Sequence, residues 1–166
     1  TARRRERQIY GQRAARDVAM PLVSVTRLRL RKARYVPAFM LWSLRSKWQA
    51  ERSPGFLGGI LLADRERTYW TISVWRDEAA MREYRSSGAH ARAMRRLPRW
   101  CDEAAAGHWE QPGSERPSAN DAHARLAALG AGARFTPVEH PSPRHVAREV
   151  GPPPVREQGI PMKPKA

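Results

Sequence analysis

His90 is the side chain best placed to do chemistry. It follows the helix-breaking run Ser86-Ser87-Gly88 and heads a stripe in which Met94, Leu97 and Cys101 recur at i+4, i+7 and i+11. A histidine opening an apolar stripe can face an interior. There a neutral imidazole can take a proton as a general base, or bind iron as an axial ligand. The alternative is a histidine that caps a helix start and bonds locally. Around it stand the groups of an aromatic wall for a flat apolar ligand, namely Tyr69, Trp75 and Tyr84, with Trp70 beside them. The hydroxyls of Tyr69 and Tyr84 suit a phenolic substrate or a proton relay. His108 and Trp109 are adjacent on a short last strand and point to opposite faces. Both join the candidate binding set.

Other chemistries find no footing in the sequence. The histidines His90, His108, His123, His140 and His145 show no ligand spacing with cysteine or carboxylate, and there is no C-x-x-C or H-E-x-x-H. No metal site is expected. There is no nucleophile elbow, P-loop or G-x-G-x-x-G, and Gly58-Gly59 opens no helix.

The elements that must position these residues read as strand, helix, strand, strand, helix, strand. Leu22 to Leu30 alternates, with Leu28 and Leu30 on one side and Arg27, Arg29 and Arg31 on the other. Pro37 suits a first helical residue, and Leu41, Leu44 and Trp48 follow at helical spacing as one apolar stripe. Ser53-Pro54-Gly55 ends that helix. Phe56–Ala63 and Thr68–Trp75 form an antiparallel hairpin, the Gly58-Gly59 pair marking a bulge or a close approach. The second of these strands sets Trp70, Ile72 and Val74 against Tyr69, Thr71, Ser73 and Trp75. Asp77 caps a helix through Tyr84, and a second helical stretch runs from Ala89 to about Ala105, split or kinked by Pro98. Gly107 to Gln111 is the last strand.

This βαββαβ order predicts a ferredoxin-like α+β domain over residues 21–112. With helices enough for one sheet face, large aromatics on both sides of the third strand predict a homodimer whose sheets meet face to face. Residues 1–20 read as a basic N-terminal arm, 113–150 as a C-terminal extension with a short helix, and 151–166 as a Pro-rich mobile tail.

At this point the sequence resembles a known family. The run V-W-R-D-E-A-A-M-R-E-Y-R-S-S-G-A-H, Val74 to His90, is similar to the Trp–acidic–helix–Ser–x–His segment of the dimeric α+β barrel superfamily. The flanking S-P-G-F-L-G-G and A-M-R-R-L-P-R-W-C-D-E-A-A-A-G-H-W-E-Q look closest to uncharacterised, antibiotic-biosynthesis-monooxygenase-like members. The resemblance implies a dimeric barrel with a pocket between sheet and helices. It spans cofactor-free oxygenases acting on polycyclic aromatics, haem-degrading enzymes, isomerases and members without known activity. Haem-degrading members carry an asparagine on the first strand; here that strand has Ser24 and Thr26, and the one asparagine is Asn120.

The expected function is therefore a monooxygenase-like protein that binds or oxidises a small apolar aromatic molecule without a cofactor, haem being the alternative. The rival is a non-catalytic ligand-binding or assembly subunit acting through its basic arms. Of 31 Lys+Arg against 16 Asp+Glu, only Lys32, Lys47, Lys163 and Lys165 are lysine, and the net charge of +15 is spread along the chain. Such a surface attracts anions and gives at most non-specific, salt-dependent contact with nucleic acid. The third strand T-Y-W-T-I-S-V-W lacks the RNA-recognition signature. One cysteine excludes an internal disulfide, and no apolar run approaches the ~18–20 residues of a membrane span, so a cytoplasmic protein is expected.

Overall fold

A computed structural model describes residues 20–165, so all but the last residue of the basic arm lie outside the described residues. Its strands are β1 (Leu22–Leu30), β2 (Phe56–Asp64), β3 (Thr68–Trp75), β4 (Cys101–Glu110), β5 (Arg134–Phe135) and β6 (Gly159–Met162). Its helices are α1 (Val36–Arg52), α2 (Glu78–Ser86), α3 (Gly88–Met94), α4 (Leu97–Trp100), α5 (Ala119–Ala128) and α6 (Pro143–Val146). The strands form one antiparallel sheet in the order β5-β4-β1-β3-β2-β6. Its inner four follow the 4-1-3-2 order of a ferredoxin-like βαββαβ unit, as the sequence predicts.

The pleat assigns the faces. Successive residues alternate, so Ser24, Thr26 and Leu28 lie under α1–α3, while Val23, Val25 and Arg27 lie on the opposite side. Register carries the pattern across the sheet: Ser24 pairs with Ser73 and His108, and Thr26 with Thr71 and Ala106. On the opposite face Val23, Val25, Ile60, Leu62, Trp70, Ile72 and Val74 pack against Ala119, Ala122 and Leu126 of α5. Fully burying each such large side chain is worth ~1.5–3 kcal/mol. Helix α5 sits close because Gly107 lies beneath it: a Cβ there would meet Leu129 Cδ1 at 2.5 Å.

This overturns the argument for a face-to-face dimer. The second sheet face is closed by the chain's own extension, and a buried ionic cluster pins that extension down. Glu103 on β4 takes hydrogen bonds from Arg27 of β1, from Ser142 (3.0 Å) and from Arg144 (3.1 Å), while Arg29 lies 3.2 Å from it and forks onto Asp102 at 2.9 and 3.0 Å. His145 completes the clamp, with Nε2–H donating to the Thr136 carbonyl (3.0 Å) and Nδ1 accepting from the Ala104 amide (3.4 Å).

Three further expectations are corrected. The helical stretch stops at Trp100, and Cys101 to Ala105 belong to β4. Alanine-rich composition favours helix, but pairing with β1 and the ion pairs from Asp102 and Glu103 to Arg29 and Arg27 override it. The Leu41, Leu44 and Trp48 stripe faces outward, at 48%, 43% and 63% exposed. The side of α1 that faces the sheet instead presents Phe39, Ser46 and Ala50. The tail expected to be mobile is docked. Gly159–Met162 pairs with β2, and Met162 packs into the gap over Gly59, where a Cβ would meet its Cε at 2.6 Å. The Lys163 amide donates to the buried Glu51 carboxylate (3.1 Å), which also takes Lys47 Nζ (2.6 Å).

Candidate active site

Between the helices and their sheet face lies a cavity of about 250 Å³. Four hydroxyl-bearing residues from two central strands, Ser24, Thr26, Thr71 and Ser73, line its floor as the cross-strand pairs set by register. Its wall is aromatic. Trp75 stacks on Tyr84 at 4.9 Å and 29°, and Tyr84 meets the His90 ring at 4.6 Å and 45°. Offset and tilted arrangements of this kind are the favoured ones. The Trp75 indole N–H donates to Ser73 Oγ (3.0 Å), fixing the indole against the floor.

Local sequence explains why these three rings meet. Asp77 caps α2 by accepting from the Ala80 amide (2.8 Å), and the helix breaks at Ser87. Gln49 of α1 binds that break, donating to the carbonyls of Tyr84 and Ser87 (both 3.1 Å) and accepting from the His90 amide (2.9 Å). The imidazole is thereby turned inward at the first turn of α3.

Protonation follows from these contacts. His90 Nδ1 sits 3.2 Å from the Arg85 carbonyl, so Nδ1 carries the hydrogen and Nε2 keeps its lone pair. Burial pulls the His90 pKa below its ordinary value, and the Arg85 guanidinium pulls the same way, against the carbonyl contact. A neutral imidazole with an unoccupied Nε2 is what a general base at neutral pH requires. The Tyr84 hydroxyl donates to the Ser46 carbonyl (3.2 Å), and burial pushes its pKa far up, so it stays a neutral phenol.

Of the residues singled out in the sequence, Trp75, Tyr84, His90 and His108 line this cavity. His108, opposite Ser24, is exposed at the cavity's open side. Tyr69 lies on the same sheet face but packs on Phe39 at 4.6 Å, within the neighbouring cluster of Leu30, Leu97 and Trp100. Trp109 is corrected outright. It pairs with Val23 on the far face, against the α5 core, with Arg125 over its ring at 5.8 Å.

Sequence reasoning passed over the hydroxyl floor, Ser46 of α1, and two arginines at the rim, Arg85 and Arg134. The floor was visible as the Thr71–Ser73 alternation with its Ser24–Thr26 counterpart. Arg134 gave no signal, because only the β5–β4 pairing brings it there. Among the described residues no cluster of three or more histidine, cysteine or carboxylate side chains could hold a metal ion, and no helix is long and apolar enough to cross a membrane.

Comparison with known proteins agrees with the fold. Residues 33–136 match a family model described as a domain of unknown function, DUF3291. No curated protein matches the chain in sequence. Among solved structures, PA3566 from Pseudomonas aeruginosa superposes with a TM-score of 0.51 at 16% identity, over 58% of this chain and 98% of that one. A conserved protein from Methanosarcina mazei Go1 gives 0.51 at 13% identity, over 57% and 95%. A structure described as an antibiotic biosynthesis monooxygenase gives 0.50 at 13% identity, over 55% and 99%. These likenesses show a shared fold.

Proposed function

The chain belongs to the DUF3291 family, and from that premise we propose that it is a monooxygenase-like protein acting on a small aromatic molecule held between sheet and helices. The observation that carries the reading is the His90 imidazole. It lines the cavity with Nδ1 engaged and Nε2 open, beside the Trp75–Tyr84 stack.

The chemistry is cofactor-independent. Nε2 removes a proton from an acidic ring CH₂. The carbanion gives its electrons to O₂, and a C–O bond forms to a peroxide anion. The imidazolium returns the proton to the distal oxygen. Loss of the second ring proton with cleavage of the O–O bond leaves a ring ketone and water, so CH₂ + O₂ balances C=O + H₂O. The floor hydroxyls of Ser24, Thr26 and Thr71 are placed to donate to the oxygens that gain charge, while that of Ser73 donates to the Ser24 carbonyl (3.4 Å).

Haem is the second reading for the same histidine. A cavity of about 250 Å³ falls below the ~300–1,000 Å³ usual for ligand pockets and favours two or three fused rings over a tetrapyrrole. An axial His90 would give a Soret band that His90→Ala abolishes. A homodimer would need a face other than the closed sheet, and the exposed Leu41, Leu44 and Trp48 stripe offers one.

The test is oxygen uptake by the chelator-treated protein with anthrone, a tricyclic ketone with an acidic CH₂. One O₂ consumed per ring ketone formed, with ¹⁸O from ¹⁸O₂ in the product, is the expected result. Uptake no faster than in buffer contradicts the proposal and leaves the binding-or-assembly rival standing.

A further inference from the structure

We infer that the ligand of this cavity is an anion: an aromatic carboxylate whose acid group seats between Arg85 and Arg134 at the rim while its rings lie on the Trp75–Tyr84 wall. This rests on the reading of the cavity as an aromatic site and narrows it to one substrate class.

The first observation is placement. Arg134 of β5 pairs with Ala106, which pairs with Thr26, so its side chain rises on the cavity face of the sheet, in the same row as Thr26 and Thr71. Arg85 reaches the same opening from α2, one residue beyond Tyr84, and its carbonyl orients His90. One guanidinium comes from the βαββαβ unit and the other from the C-terminal extension.

The second observation is that neither is held in an ion pair among the described residues. Four arginines at or beside the extension are in ion pairs: Arg27, Arg29 and Arg144 with Glu103, and Arg116 with Glu157. Neither Arg85 nor Arg134 makes a salt bridge among the described residues. Burial and the charges of Arg134 and Arg82 work against the charge on Arg85, and the Glu78 carboxylate offsets them only in part. Two like charges facing one opening are stabilised by an anion between them.

The third observation selects the kind of anion. At the helix start beside the rim, the His90 N–H is taken by Gln49 and the Ala91 N–H by the Ser87 carbonyl (3.1 Å). The cations at the cavity that make no salt bridge among the described residues are the planar guanidinium forks of Arg85 and Arg134, Lys47 being paired with Glu51. Planar forks match a planar carboxylate, which accepts bidentate pairs.

Isothermal titration with 2-naphthoate and its neutral counterpart 2-naphthamide tests this. The wild-type protein is expected to bind the acid roughly ten- to hundred-fold more tightly than the amide. Arg85→Gln and Arg134→Gln should each erase most of that difference, the larger loss falling on the acid. Arg134 is exposed, so its replacement leaves the fold standing. Arg92→Gln, on the exposed side of α3, controls for the general positive field and should change neither. Equal affinity for the two probes overturns the anchor while the aromatic site survives. An equal loss in Arg92→Gln also overturns it, because net charge then accounts for the preference. If neither probe binds, the aromatic-site reading falls and takes the anchor with it.

Discussion

The His90 imidazole rests against the ring of Tyr84, centroids 4.6 Å apart, and the two are joined through one glutamine on another helix. Gln49 holds the Tyr84 carbonyl with its amide nitrogen and the His90 amide with its oxygen. The base and the aromatic wall are therefore positioned by the same side chain, and both depend on α1 staying in place.

A neutral His90 has a pH signature. Its pKa is lowered by burial, so the folded protein releases this proton more readily than the unfolded chain, whose histidines titrate near ~6.5. Above that pH neither state carries the proton and the group does not affect stability. As pH falls below it, the unfolded chain gains a proton that the folded one does not, and stability drops until the folded value is reached. Ring-proton NMR should place the His90 midpoint below 6.5, and His90→Phe should remove that part of the pH dependence. A midpoint at or above 6.5 would contradict the buried neutral imidazole.

Two tyrosines should ionise at opposite extremes. The Tyr35 hydroxyl accepts from Arg34 and Arg31 Nη2, both at 3.1 Å, and these guanidiniums hold its pKa at about 8, against a smaller opposing effect of burial. Tyr84 stays protonated throughout the usual tyrosine range. Absorbance at 295 nm should show one early phenolate step, lost in Tyr35→Phe and untouched in Tyr84→Phe.

Glu103 locks the extension onto the sheet. Burial opposes its charge, but Arg27 and Arg29 outweigh burial and its pKa falls below the ordinary carboxylate value. Its contribution is therefore complete above the unfolded pKa and lost as pH falls through the folded one. Glu103→Ala leaves Arg27 buried without its partner, a change that typically costs ~3–5 kcal/mol. Urea unfolding should register that loss at pH 7 and little of it in strong acid.

Deleting residues 159–166 should destabilise the protein. The deletion exposes the β2 edge, removes the buried Met162 side chain, and takes the Lys163 amide from Glu51. A loss of ~2 kcal/mol or more is expected. An unchanged melting temperature would show that β6 does not contribute.

The legible part of this protein was what local pattern determines. Strand alternation in β1 and β3 assigned both faces, and His90 and Tyr84 were found because a helix break announces itself in Ser86-Ser87-Gly88. What stayed hidden depends on distant partners. Trp109 looked like a pocket residue because nothing local says that α5 covers its face. The Leu41–Trp48 stripe pointed outward because the cavity side of α1 carries Ser43, Ser46 and Lys47, residues a hydrophobic stripe does not report. The tail resembled a disordered segment in composition, yet four residues suffice when an open strand edge and the gap over Gly59 await them.

If His90 acts as a base inside this cavity, ring-ligand affinity and oxygen uptake must separate when both are measured for His90→Ala. Anthrone should still bind, with Kd changed by a few-fold at most, while turnover falls by ~10²-fold or more. Turnover that survives the substitution, with affinity unchanged, would contradict it.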